Sequence, residues 1–367
     1  MNQNPVVFLW QDRAAPEGFK SAVCLHGHTL HSKECLDFLP THLNSVPVAS
    51  AIVRRYQCRG IQFARAYWTP PLTPAAALRL EIRQIQSLGL HPMVSLTDHD
   101  TIDAPIALHL TGEPDVPISV EWTVPYRRAV FHLGIHNLPA DAARAWMNAM
   151  EEYTAAPDET VLPAILQELA TNDQILVVLN HPFWLEEGVS ERDRAPALDH
   201  LLTACAEFLH AFELNGTRTW DENAATIELA RAWSRPVISG GDRHAGEPAA
   251  CLNLTHTTSF GEFVSEIRSG TSTVIFLEHY REPMALRILE AAWDILRPYP
   301  DHESRALWTD RVFYRGDDGA TRSLSELWRS RVPWFVKPIT AILQLCTNPG
   351  LRPAVRFLLS NREGMLP

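Results

Sequence analysis

Seven short apolar runs, each carrying or running into a histidine, acid or asparagine, constrain the fold of this chain more than any other feature. They are Ala22–Leu25, Met93–Leu96, Ile118–Val120, Val130–Leu133, Ile175–Leu179, Ala211–Leu214 and Val237–Ser239, with Thr273–Phe276 as an eighth candidate. Short runs rich in β-branched residues and bounded by polar punctuation read as buried strands. Helical patterns lie between several of them. In Pro74–Leu88, Ala77, Leu78, Ile82, Ile85 and Leu88 share one face, Thr73 suits the N-cap, Pro74 the first turn and Gly89 the stop. Ala140–Tyr153, Val161–Thr171, Ala195–Leu209, Glu222–Trp233 and Phe260–Arg268 read as further helices. Strands alternating with helices predict βα units and a largely parallel sheet, and this many strands predict a barrel.

The polar residues at the strand ends are metal-ligand types. Strand one runs into Leu25-His26-Gly27-His28-Thr29, strand two into Thr97-Asp98-His99-Asp100, and strand three ends at Glu121. Strand four carries His132, with His136 beyond, and strand five ends in Asn180-His181-Pro182. Strand six gives Glu213-Leu214-Asn215, and strand seven runs into Gly240-Gly241-Asp242-Arg243-His244. Parallel barrel strands bring their C-terminal ends to one face, so these motifs are expected to converge. Residues i and i+2 of a strand share a face, which pairs His26 with His28 and Asp242 with His244 and turns Arg243 elsewhere. Imidazole and carboxylate ligands suit Zn, Mn or Fe, and Glu121 is placed to bridge two ions. So many ionisable groups buried at one point would be costly unless an ion satisfied them.

In this order, His26-Gly27-His28-Thr29, Thr97-Asp98-His99-Asp100, the lone Glu121, Phe131-His132-Leu133-Gly134, Asn180-His181-Pro182 and Gly240-Gly241-Asp242-Arg243-His244 resemble the PHP (polymerase and histidinol phosphatase) superfamily, over about residues 20–280. The resemblance implies an α/β fold, a distorted (β/α)7 TIM-like barrel. It also implies two or three divalent metal ions, and cleavage of a phosphomonoester or phosphodiester by a metal-bridging hydroxide. Carried over by position, His26, His28, Glu121 and Asp242 would hold a first ion, and Glu121, His132 and His181 a second. His99 and His244 would hold a third, with Glu34 where some members have His or Asp. The chain departs from the pattern at Lys33-Glu34, where many members have Asp-Gly, and at Ile102-Asp103-Ala104-Pro105, where a glycine often follows.

Other residues receive roles from their chemistry. His244, or a water held by Asp98, is a candidate proton donor to a leaving group, and Asp98 is also a candidate orienter of a histidine. Arg243, Arg218, Lys33 and Arg65 are candidate phosphate clamps. Asn215 and Glu213 are placed to line the pocket or to cap a strand. Tyr67, Trp68, Trp122 and Trp184 are candidates for stacking on a base or sugar, or for packing. A metal-dependent amidohydrolase or lactonase is the rival enzyme reading. That superfamily typically adds a lysine at a middle strand end, and no strand here ends in one. A catalytically degenerate scaffold is the rival outside enzymes.

The 367 residues suit one barrel domain, 1–280, with an insertion at about 35–71, followed by a helical extension over 281–367. Helices are expected there at Ala285–Leu296, Ser323–Arg331 and Ile339–Leu345. A net charge of -11 argues against an extended nucleic-acid groove but not against a small phosphorylated substrate or nucleotide, whose charge bound ions would meet. The six cysteines contain no Cys-x-x-Cys pair and read as reduced, mostly buried thiols. No apolar stretch approaches the roughly 20 residues of a membrane span, and a cytoplasmic location is expected.

Overall fold

The computed structural model describes residues 6–37, 39–42, 47–185, 189–302, 304–328, 333 and 336–359. Its strands are β1 (Val6–Phe8), β2 (Ser21–Cys24), β3 (Glu34–Cys35), β4 (Ala66–Trp68), β5 (His91–Val94), β6 (Val120–Tyr126) and β7 (Ala129–His136). They continue as β8 (Leu176–Asn180), β9 (Ala211–Asn215), β10 (Val237–Gly240), β11 (Cys251–Thr255), β12 (Val274–Phe276), β13 (Val312–Arg315) and β14 (Thr321–Ser323). The protein is a mixed α/β structure. Two sheets of five strands are ordered β1-β12-β11-β2-β5 and β10-β9-β8-β7-β6, and a third of four is ordered β14-β13-β4-β3.

The expected parallel barrel is met only in part. None of the three sheets closes on itself. The βα rhythm breaks where β6 and β7 form an antiparallel hairpin, and β7 also runs antiparallel to β8. The strand read as ending at Glu121 instead begins there and continues through Pro125 to the turn at Arg127, whose φ is 55°. A two-residue connection can return a chain only antiparallel. Parallel pairing does hold for β2 with β5, β8 with β9, and β9 with β10.

Single bridges tie the two larger sheets together, Gly27 to Arg243 and His99 to Glu121. Both sheets contribute to one core. Val23, Leu25, Met93, Leu176, Val178, Ala211 and Ile238 pack with Phe263, Val264 and Ile267 of the helix Phe260–Arg268. Arg268 at the end of that helix donates to the carbonyl of Ile175, just before β8, so the helix packs at the strand starts, away from the ligand residues.

The clearest expected helix forms over Pro74–Gln86, where Thr73 accepts from the Ala76 amide at 3.2 Å and Gly89 takes φ 77°. Glu191–Cys205 begins earlier than expected, because Ser190 caps it and Pro196 is carried inside. Asp103–Leu110 is a helix with no counterpart in the sequence reading. The segment after residue 280 is not helical throughout. It gives the helices Met284–Leu296, Leu324–Trp328, Val336–Cys346 and Arg352–Leu359, but also β13 and β14. Residues 329–331 of the expected Ser323–Arg331 helix lie outside the described residues. Of the cysteines, Cys24, Cys205 and Cys251 are buried, while Cys35 and Cys58 are exposed.

Candidate metal centre

All nine expected ligands converge. Glu121 is the hub. Its Oε2 lies 2.9 Å from His26 Nε2, 3.4 Å from His28 Nε2 and 3.4 Å from His99 Nδ1. Its Oε1 lies 3.1 Å from His181 Nε2 and 3.5 Å from His132 Nδ1. Asp242 Oδ1 faces His26 and His28 at 3.7 and 3.4 Å. Glu34 lies on the outer side, with Oε2 3.5 Å from His99 Nε2 and 3.3 Å from His244 Nε2. Three groups bring their ligand atoms within 4.8 Å of one another: His28, Glu34, His99 and His244; His26, His28 and Glu121; His99, Glu121 and His132.

Backbone geometry aims these side chains. Asp242 N donates to His26 O at 2.9 Å and His28 N to Arg243 O at 2.8 Å, so the ends of β2 and β10 are knitted at the ligands themselves. Asp100 N donates to Glu121 O at 2.9 Å, fixing the start of β6 beside the His99 loop. His181 and Asp242 have φ values of 25° and 50°, in the left-handed region that non-glycine residues rarely adopt. Such strain is held only where surrounding contacts over-determine it, and both residues sit where a strand must turn sharply.

The donor set fits a divalent ion. Nitrogen and carboxylate oxygen with no thiolate is the ligand mix of Zn, Mn and Fe sites. The Nε2 atoms of His26 and His28 face each other at 3.1 Å beside Glu121 and Asp242. At most one proton fits between two such nitrogens, whereas a cation satisfies both lone pairs.

Charge explains the titration of the cluster. Burial works against the His26 imidazolium, yet Glu121, Glu213 and Asp242 together raise it well above its ordinary value. Burial likewise opposes charge on His99 and His244, but Glu121 and Glu34 lift His99 to about 10, and Glu34 lifts His244 to about 9. His28 goes the other way, to about 4, through burial and the neighbouring His244. Burial would raise Glu121 and Asp242, but the surrounding imidazoles hold both well below the carboxylate range. The buried carboxylates thus demand positive charge at the ligand positions, from protons or from ions.

Several nominated residues lie elsewhere. Among the described residues, Asp98 makes no hydrogen bond to a histidine. It is fully buried and accepts from the Thr29 amide and hydroxyl at 2.5 and 2.6 Å, tying the loop after β5 to that after β2. Arg243 is no phosphate clamp in this arrangement. Its buried guanidinium pairs with Glu81 and donates to Glu247 O at 2.6 Å. Asn215 is buried and donates at 3.1 Å to both Glu213 and Asp242, and with His181, Glu213 and Arg218 it lines a small cavity beside the centre. Lys33 is exposed at the rim, its ammonium 5.9 Å from the Tyr67 ring, and Arg65 pairs with Asp317. Arg218 is the nominated cation that reaches the centre, with Nη2 3.5 Å from Asp242 and its plane 3.8 Å from the Trp184 ring. Trp68 lies 5.7 Å from the His244 ring, whereas Trp122 is core, bonded to Met150 O and Thr154. His136 is buried against Ser95, outside the three ligand groups.

Residues without a nominated role complete the site. Ser32 Oγ bonds Glu34 Oε1 at 2.6 Å, lies 3.2 Å from His28 Nδ1 and accepts from the His99 amide at 3.2 Å. Asn180 donates to Glu121 Oε1 at 2.9 Å. Asn180 carried a sequence signal, standing directly beside His181 at a strand end. Ser32 carried none, because its tie to His99 joins positions 67 apart.

No family model and no curated protein matches the chain. Among solved structures, PsfC from Pseudomonas syringae is 13% identical with a TM-score of 0.39, covering 59% of this chain and 89% of its own. A protein from Bifidobacterium adolescentis named "putative metal-dependent phosphoesterase" is 16% identical with a TM-score of 0.31, covering 55% and 92%. An amidohydrolase from Chromobacterium violaceum with bound sulfate is 13% identical with a TM-score of 0.38, covering 67% and 96%. These scores and identities are too low to transfer a fold or an activity, so the residues themselves carry the reading.

Proposed function

We propose that this chain is a metal-dependent hydrolase, a phosphoesterase acting on a small phosphorylated substrate or nucleotide. The observation that carries it is the gathering of six histidines, His26, His28, His99, His132, His181 and His244, around Glu121 and Glu34, with Asp242 facing His26 and His28. The PHP-type reading, with the seven strands β2 and β5–β10 as a distorted barrel, belongs to the same proposal. The two single bridges that link the sheets at the ligand positions support it.

His26, His28, Glu121 and Asp242 would hold one divalent ion, Glu121, His132 and His181 a second, and Glu34, His99 and His244 a third. When bound, such ions acidify water towards neutral pH and neutralise charge on phosphoryl oxygens. The chain's own groups then bind and orient. Arg218, whose Cζ lies 3.8 Å over the Trp184 ring, would take a phosphoryl oxygen. His244, at 22% exposure the most open imidazole of the cluster, ligates where three ions are bound and is free to protonate a leaving group where only two are. No lysine stands at any of the expected strand ends, which favours phosphoester over amide or lactone cleavage.

The test is elemental analysis of protein purified without a histidine tag, beside hydrolysis of phosphomonoesters, phosphodiesters, amides and lactones with added Mn²⁺. Two or three transition ions per chain and chelator-sensitive phosphoester cleavage are expected. Amide or lactone turnover alone would replace phosphoesterase with amidohydrolase. Less than one ion per chain, not restored by reconstitution, would mean a scaffold.

A further inference from the structure

We propose that Glu213 is a positioning residue of the metal centre, fixing His26 and His181 for the ion in a space that Gly240 keeps open. This rests on the metal-centre reading above. The strand β9, Ala211-Phe212-Glu213-Leu214-Asn215, is buried at every position. A carboxylate inside such a run persists only where every lone pair is used. Glu213 Oε1 lies 2.6 Å from His26 Nδ1, and Oε2 accepts from His181 N at 2.9 Å and Asn215 Nδ2 at 3.1 Å. None of the three ligand groups contains Glu213, so it acts through the ligands.

A carboxylate beside Nδ1 holds the proton there. That leaves the lone pair of His26 on Nε2, the atom directed at Glu121 and His28. The bond to His181 N pins the backbone where φ is 25° and the ring turns back to the centre. Asn215 extends the link, since its Nδ2 also donates to Asp242 Oδ2 at 3.1 Å and its Oδ1 is occupied by the Thr217 amide and hydroxyl. One carboxylate on β9 thereby reaches ligands at the ends of β2, β8 and β10.

An independent observation comes from β10. Gly240 stands opposite Asn215 in the ladder, and a Cβ there would overlap Glu213 Oε1 and lie 2.9 Å from His26 Cβ. No positive φ requires this glycine. Its missing side chain is the room in which the Glu213–His26 contact forms.

The experiment compares the wild type with Glu213→Gln and Gly240→Ala by Zn²⁺ titration against a competing chromophoric chelator, and by thermal unfolding of the metal-free proteins. A glutamine keeps the volume but cannot accept from both His26 Nδ1 and His181 N. Zn²⁺ affinity is expected to fall about 10- to 100-fold in both variants, with metal-free unfolding little changed in Glu213→Gln, the variant that adds no atom. An unchanged affinity in Glu213→Gln overturns the proposal, as does affinity lost only together with metal-free stability, which would mark a purely structural role. One readout needs no variant: ¹⁵N spectra of the zinc-loaded wild type are expected to show His26 bound through Nε2 with Nδ1 protonated, and binding through Nδ1 overturns the proposal. A wild type that binds no zinc overturns the metal-centre reading itself, whereas tight binding that survives Glu213→Gln overturns the positioning role alone.

Discussion

The deep and outer halves of the centre are built differently. His26, His28, Glu121, His181 and Asp242 have side chains at most 7% exposed and stand on or beside core strands whose ends bond to one another. Glu34, His99 and His244 are 12–22% exposed. Glu34 lies on β3, at the edge of the sheet β14-β13-β4-β3, which is made from the 35–71 region and the segment after residue 281. The deep half is therefore fixed by the same packing that fixes the fold, while the outer half depends on peripheral pairing. This asymmetry predicts ions that differ in how easily they are lost.

Glu121→Gln should give the largest effect. Glu121 Oε2 lies beside His26 and His28 of the deep half and His99 of the outer half, and Oε1 beside His181 and His132, so a loss of metal affinity above about 100-fold is expected, beyond the usual effect of an outer-shell partner. Elemental analysis checks this, and the first and second ions retained at full occupancy would break the hub role of Glu121. Glu34→Gln should remove only the outermost ion, lowering the stoichiometry and weakening that site about tenfold. Loss of every ion would show that the halves are not separable. Arg218→Ala should raise KM for a phosphomonoester about tenfold with kcat little changed, since its role is to bind the phosphoryl group in ground and transition state alike. A fall in kcat at constant KM would move Arg218 into the chemical step.

The smallest effect separates acid sensitivity of the centre from that of the fold. Burial, with Arg268 and Arg235 nearby, pushes His210 down to about 3. The unfolded chain takes up this proton near pH 6.5 and the folded chain near pH 3, so stability is full above about pH 6.5 and declines as pH falls through that window. His210→Asn can still accept from the Val177 amide, which now donates to Nδ1 at 2.9 Å. Its melting temperature should fall less steeply from pH 6.5 to 4 than that of the wild type. An identical slope would remove His210 from the acid response.

The ligand types were legible in the sequence because each follows an apolar run, and His-x-His and Asp-x-His fix relative direction through the period of two. The hairpin of β6 and β7 was not legible. Pro125, Tyr126, Arg127 and Arg128 offer no glycine or asparagine to announce a two-residue turn. Residues 35–71 read as an insertion and those after 281 as helices, because a strand of two or three residues leaves no periodicity to detect. The buried pairing of Arg243 with Glu81 escaped because the partners lie 162 positions apart. Where motif positions alternate by two, their common direction can be read from spacing; where a partner comes from a distant segment, only the assembled structure supplies it.

The pairing of Trp68 with Val312 sets an order of events. In a chain made from its N-terminus, Glu34 emerges early but its sheet cannot be completed until β13 has followed, after hundreds of intervening residues. Closing so long a loop costs little more than closing one of half the length, since the entropy grows only logarithmically, but it waits on synthesis. The deep ligands and the strands that hold them, through β12, have emerged by residue 276, before β13, so an inner site would load while the outer one is still unmade.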